Sequence, residues 1–191
     1  MMAKTRKSAS EELPTNILPS SLLMGAENDQ IRQTAIYNKL RSMVEELPEK
    51  FQEKISMEML QTLSSLLLGD TVFRIVQHLM DIQHVTEQHL YEKRNALLKS
   101  HELKMQELDL KTDLSFSQRV LERTRLLEIH KEEITSIDQS IVNELDEKLS
   151  EQQSVLVLTG VPGFEVTKDP MKIQLQVRIL DMVLRLSQNN L

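Results

Sequence analysis

The sequence predicts an all-α, elongated protein, and three observations predict it. No Gly or Pro occurs between Gly69 and Gly160, so ninety residues lack the two types that cost most inside helices. Apolar residues recur at spacings of three and four along most of the chain. Aromatic residues make up 3% of the 191 residues while Met occurs ten times, which points to thin seams lined by Leu, Ile and Met. The expected architecture is a long antiparallel helical hairpin, coiled-coil-like, flanked by shorter N- and C-terminal helices.

Residues 1–28 are rich in Ser, Thr and Asn, carry Pro14 and Pro19, and read as a flexible arm with a short apolar island from Ile17 to Met24. The helical period begins near Asp29. Ile36, Leu40, Met43 and Leu47 share one face, and Pro48 ends that helix because the residue before a proline is pushed out of the α region. A second helix starts between Pro48 and Ser56, carries Ile55, Met59, Leu63, Leu66 and Leu67, and stops at Gly69 as a C-terminal cap. These two helices form a module over residues 29–69.

Residues 70–153 are the predicted hairpin. Asp70 or Thr71 caps its first arm, whose pattern is clean from Val72 to Leu90 and continues more roughly through Leu97, Met105 and Leu108. About forty residues make a rod of ~60 Å, well beyond the ~16 Å radius of gyration of a compact domain of this size. The stretch "KTDLSFSQ" (111–118) clusters Thr112, Asp113, Ser115 and Ser117, which compete with helical hydrogen bonding, and Ser115 with Gln118 has capping-box spacing. A turn here folds the second arm back; without one, a single continuous rod results. The second arm sets Ile134, Ile137, Ile141, Leu145 and Leu149 on one drifting face, and Glu107–Lys111 and Glu144–Lys148 are favourable exposed pairs. Residues 154–169 mix β-branched residues with Gly160, Pro162 and Gly163 and read as a loop. Asp169 then caps a helix over 170–191 with Pro170 at its first position, and Ile173, Val177, Leu180 and Leu184 form its apolar stripe.

Composition narrows the function classes. There is no Cys, which excludes disulfides and cysteine nucleophiles and favours an intracellular address. A net charge of −6 argues against nucleic acid as a main partner. No apolar run approaches the ~20 residues of a membrane span. Lys4, Arg6 and Lys7 are not followed by an apolar signal core, and Glu11 and Glu12 oppose an organelle-transit reading.

The stretch "DTVFRIVQHLMDIQHVTEQHLY" (70–91) holds three of the five histidines and raises the question of a metal or catalytic site. On a helix, His78 and His89 share a border of the apolar arc but stand ~16 Å apart along the axis, and His84 lies on the other side. A metal needs ligands about 2 Å from one point, and no histidine pair has the i,i+3 or i,i+4 spacing that provides this. His78 with Asp81, and His84 with Glu87, supply only two ligands each. A metal-binding or enzymatic use of this segment is therefore the weaker alternative to histidines at the rim of an interaction face. "GVPG" (160–163) has no following Lys-Ser/Thr and reads as a turn rather than a phosphate loop. Glu132 and Glu133 are adjacent on a helix and read as solvated surface. A nucleic-acid arm at Lys4–Lys7 is a third and weaker possibility.

The apolar seam carries the most physical content. Long helices cannot bury a face alone, so either the arms pack on each other or a second copy covers them as a homodimer. With Phe73 and Met80, the apolar arc from Val72 to Leu90 is too broad for a two-stranded seam, and its face Val72, Ile75, Val76, Leu79, Ile82 and Leu90, interrupted by Gln83 and Thr86, is the candidate protein-interaction site.

Several blocks in one order, "VEELPEKFQ", "GDTVFRIVQ", "DIQHVTEQHLY", "VNELDEK", "EQQS" and "GVPGFEVT", resemble the family of the insect gonadal protein and the vertebrate DiGeorge syndrome critical region proteins. The similarity runs from about Leu40 to Leu186 with a gap around 100–127, and the length and lack of Cys are most like the insect member. The resemblance implies a non-enzymatic protein with a coiled-coil region, nuclear or cytoplasmic placement, and roles in gonad, germline and development. It implies no catalytic residues and no cofactor. The function expected is an intracellular helical adaptor or scaffold that binds protein partners of unknown identity.

Overall fold

The computed structural model describes residues 20–188, which form an all-α structure of six helices. They are α1 (Ser20–Glu45), α2 (Glu49–Gln52), α3 (Met57–Leu66), α4 (Asp70–Leu110), α5 (Phe116–Leu158) and α6 (Pro170–Gln188). The predicted flexible arm over 1–28 falls largely outside the described residues, but from Ser20 the chain is already helical, nine residues before Asp29. The periodicity had located only the buried part of α1. Ahead of Ile36, Gly25 and residues 27–32 are exposed.

α1, α2, α3, α6 and the proximal ends of α4 and α5 enclose one core. Ile36, Leu40 and Met43 of α1 meet Leu60 and Leu63 of α3 and Ile179, Met182 and Leu186 of α6 there, all buried. Pro48 ends the first helix as expected and opens the single turn of α2, whose Phe51 plugs the core. Ser56 caps α3 by accepting from the Met59 N–H.

Gly69 does not act as a left-handed cap. Its φ is −97°, α3 already closes at Leu67, and Gly69 stands at the N-cap of α4. Neither Asp70 nor Thr71 caps that helix; Asp70 is its first residue. α3 and α4 meet at 94° across this break, which turns the long arm out of the core.

The turn is present. Residues 111–115 separate the two long helices, and Ser115 and Gln118 form the reciprocal capping box that their spacing predicts. The Arg119 guanidinium donates to the carbonyls of Asp109 and Lys111 and ties the end of α4 to the start of α5. α4 and α5 then run antiparallel, each about 60 Å long.

α5 continues five residues past Gln153, through a segment predicted as loop. Val155 and Val157 disfavour helix only slightly, and Leu156 between them is buried in the core, which outweighs that preference. The helix ends in a Schellman motif. Gly160 has φ +77°, its N–H bonds the Val157 carbonyl, and the Val161 N–H bonds the Leu156 carbonyl. Val161 and Leu156 are both buried, as that motif's hydrophobic contact requires. Asp169 caps α6 as predicted, accepting from the N–H groups of Met171 and Lys172. Lys148 pairs with Glu151, not with Glu144. No single described helix is long and apolar enough to cross a membrane.

Gly160 and Gly163 both have positive φ, but their surroundings differ. A Cβ on Gly160 meets nothing within 4 Å, whereas one on Gly163 lies 2.7 Å from Ile179 Cδ1 and 3.3 Å from Met59 Cε. Ile179 is itself buried and has little room to yield. Gly160→Ala is expected to cost about 1–2 kcal/mol for the left-handed backbone alone. Gly163→Ala adds an overpacking cost and should lose roughly 2–4 kcal/mol. Denaturant unfolding of both variants checks this, and equal losses would contradict the close approach.

Candidate protein-binding site

The hairpin has an internal seam, and a groove where it meets α6. In the seam, polar pairs set the register of the distal half. Arg94 donates to both carboxylate oxygens of Asp138 at 2.7 and 3.2 Å, and Arg123 donates to Asp109 at 2.9 Å. The hydrogen bond from Arg94 holds the Asp138 carboxyl below its usual range.

Between these pairs lies a buried histidine pair. The rings of His101 and His130 stack across the two helices with centroids 3.8 Å apart and planes 7° from parallel. Each residue is only 5% exposed. His101 Nε2 lies 2.6 Å from Glu133 Oε2. An ionised carboxylate only accepts, so Nε2 carries the proton. That hydrogen bond holds the Glu133 carboxyl below its usual range, and the Lys104 ammonium 4.0 Å away adds to the effect. His101 Nδ1 and His130 Nε2 are buried without a hydrogen-bond partner. Burial pushes the His130 imidazole down, and the neighbouring His101 and Lys104 push it further.

The six residues of the predicted interaction face divide. Val72, Val76 and Leu90 are buried within the chain itself, Ile75 and Leu79 are half-buried against the core, and Ile82 is 46% exposed. A partner can therefore reach about half of Ile82 and the edges of Ile75 and Leu79. His78, His84 and His89 are all exposed. Asp81 accepts from Gln77 and Glu87 from Gln83, each one turn away on the same helix. Among the described residues no three His, Asp or Glu side chains come close enough to hold a metal ion.

The groove is built mainly by α5 and α6. Leu175, Ile179, Met182, Val183 and Leu186 face the core. Ile173, Val177, Leu180 and Leu184, the stripe that the sequence predicts, lie on a different face, about 140° round the helix. They line one wall of a groove of about 510 Å³. Leu145, Leu149 and Leu156 of α5 form the opposite wall, with Met80, Gln83 and Glu87 of α4 between. Its buried polar groups are satisfied internally. Gln152 donates to Gln83, and Gln153 bonds both the backbone of Thr167 and the Gln176 side chain. Gln176 in turn donates to the Glu165 carbonyl, so the loop over 159–169 is pinned to the groove's base.

Residues 19–191 match the model of the DiGeorge syndrome critical region 6 (DGCR6) protein family. The chain belongs to the DGCR6 family. It is 36% identical to the gonadal protein gdl of Drosophila melanogaster over 154 residues, which cover 80% of this chain and 78% of that protein. It is 35% identical to protein DGCR6 of Gallus gallus over 173 residues, covering 83% of this chain and 86% of the relative. No solved structure matches it. The DGCR6 family is not known as a family of enzymes.

Two features of this DGCR6-family chain escaped the sequence reading. Glu133 is not simply solvated surface beside Glu132, because it holds His101. The stacked pair was also missed, although its signal was present. Four residues on from Leu97 falls His101, and four residues back from Ile134 falls His130, so both continue the two seams. The native state favours neutral His130, so the unfolded chain binds its proton more readily below the ordinary value of about 6.5. Stability from this site is thus complete above that value and lost as pH falls towards the depressed native one. The charged neighbours facing the pair are Lys104 on α4 and Glu133 on α5. Thermal unfolding should occur at lower temperature at about pH 5.5 than at 7.5, and His130→Gln should flatten that dependence. An unchanged slope in the variant would assign the effect elsewhere.

Proposed function

We propose that this DGCR6-family protein is a non-enzymatic intracellular adaptor that binds other proteins through apolar helix surfaces. The observation that carries the reading is the second apolar stripe of α6. None of Ile173, Val177, Leu180 and Leu184 is fully buried, although Leu180 and Leu184 pack against the edge of the core, and together they line a groove with leucines of α5. Concave, largely apolar sites with satisfied polar groups are the usual form of a binding site, and an amphipathic helix in a groove is a recurring mode of protein recognition. The family resemblance suggests a developmental role, and the name of the Drosophila melanogaster relative supports a gonadal or germline setting. Nuclear or cytoplasmic placement is part of the proposal and rests on the cysteine-free sequence and the family resemblance.

Val177 is 53% exposed, so a charge there should alter the groove without disturbing the core. Val177→Asp is expected to keep unfolding stability within about 0.5 kcal/mol and to abolish recovery of the proteins captured by the unaltered chain from germline cells. Capture unchanged by Val177→Asp, with the variant folded, would contradict the assignment of binding to this groove.

A further inference from the structure

We infer that the groove's occupant is an amphipathic partner helix of about three turns, flanked by Lys or Arg. The inference rests on the adaptor reading above and gives the partner a chemistry. The length comes from the walls. On α5 the lining runs from Leu145 to Leu156 and on α6 from Ile173 to Leu184. Each span is about 16 Å of helix, the length over which an occupant offers apolar anchors at i, i+3 or i+4, and i+7.

The charge comes from the rim. Three charged side chains line the groove, all are acidic, and each wall supplies one: Glu87 from α4, Asp146 from α5 and Asp181 from α6. All three are exposed. Asp146 already has a cation near it, the Lys168 ammonium at 3.8 Å, on a lysine side chain that is 89% exposed and readily displaced. A basic flank would replace that contact and add two more, which steers encounter and fixes orientation.

The same rim disfavours the other occupants. A second copy docking groove to groove would set these acids against their own equivalents, and the chain as a whole carries −6. Nucleic acid and anionic lipid headgroups are repelled by the same carboxylates. The chain's own N-terminal segment places Glu11 and Glu12 between its basic residues and its apolar Ile17 and Leu18.

The test is selection of helical peptides from a display library, with all faces randomised, on the full-length chain, using Val177→Asp as the counter-selected control. Enriched peptides should carry apolar residues at i, i+3/i+4 and i+7 with Lys or Arg beside them. Their affinity should fall with salt and drop at least about tenfold in the Glu87→Gln, Asp146→Asn, Asp181→Asn triple variant. Enrichment of peptides with neutral or acidic flanks, or binding indifferent to the triple variant, would overturn the inference while leaving the adaptor reading intact. So would a failure to enrich any peptide over the control when cellular capture still depends on Val177. Sedimentation of the unaltered chain as a dimer that Val177→Asp dissociates would assign the groove to a second copy and overturn it as well. Failure of the adaptor reading itself shows differently, as cellular capture that ignores Val177→Asp.

Discussion

Two helices of about 60 Å with apolar residues on one side are the constraint from which the rest of this structure follows. Such helices gain little from backbone hydrogen bonding alone and persist because each partly covers the stripe of the other, leaving Ile134, Ile137, Ile141, Leu145 and Leu149 of α5 half-buried. Closure depends on a short polar turn, where the Ser115 capping box starts α5 and Arg119 reaches back to the last carbonyls of α4. Register is then kept along the arms. From Asp109 to Arg94 is fifteen residues along α4, and from Arg123 to Asp138 is fifteen along α5, so the two ion pairs are met without a slip. Exposed ion pairs are worth at most about 1 kcal/mol each. Their contribution here is to exclude other registers rather than to hold the arms together.

The stacked histidines belong to the same seam and give it a different character from its proximal end. Near the core the arms meet through Val72, Val76 and Leu156, which need only be covered. At the middle they meet through two imidazoles, one fixed by Glu133, with buried nitrogens that would lack an acceptor if protonated. A polar pair of this kind specifies which residues must face one another at some cost in stability, as polar residues do at single positions of coiled-coil seams.

Much of this was legible in the sequence because helical periodicity reports burial. The faces through Ile36, Leu40 and Met43 and through Val72, Val76 and Leu90 were readable, as were the breaks at Pro48 and at 111–118. The misreadings have a common physical origin. Val155 and Val157 resemble loop or strand residues locally, and only the burial of Leu156 from outside the segment makes them helical. Gly69 resembles a C-terminal cap, but α3 ends three residues earlier, at Leu66. The groove was half legible. Its α6 stripe stood out as periodicity, yet that stripe turned out to be the less buried of two, because a one-dimensional pattern cannot say which face the core will claim. Position alone likewise gave His101 no partner; Glu133 and His130 reach it only once the chain has folded back.

The hairpin can be tested most directly by one distance. The chain has no Cys, so Lys93→Cys and Gln139→Cys introduce two labelling sites on exposed positions beside the Arg94–Asp138 pair. Pulsed electron–electron distance measurement on the spin-labelled protein, diluted with excess unlabelled chain, should give a separation under about 30 Å, since packed helices lie 8–10 Å apart and each label adds its own reach. A distance near 69 Å, the length of forty-six helical residues in line, would mean that the chain runs on as a single rod and that its stripes are covered by another molecule.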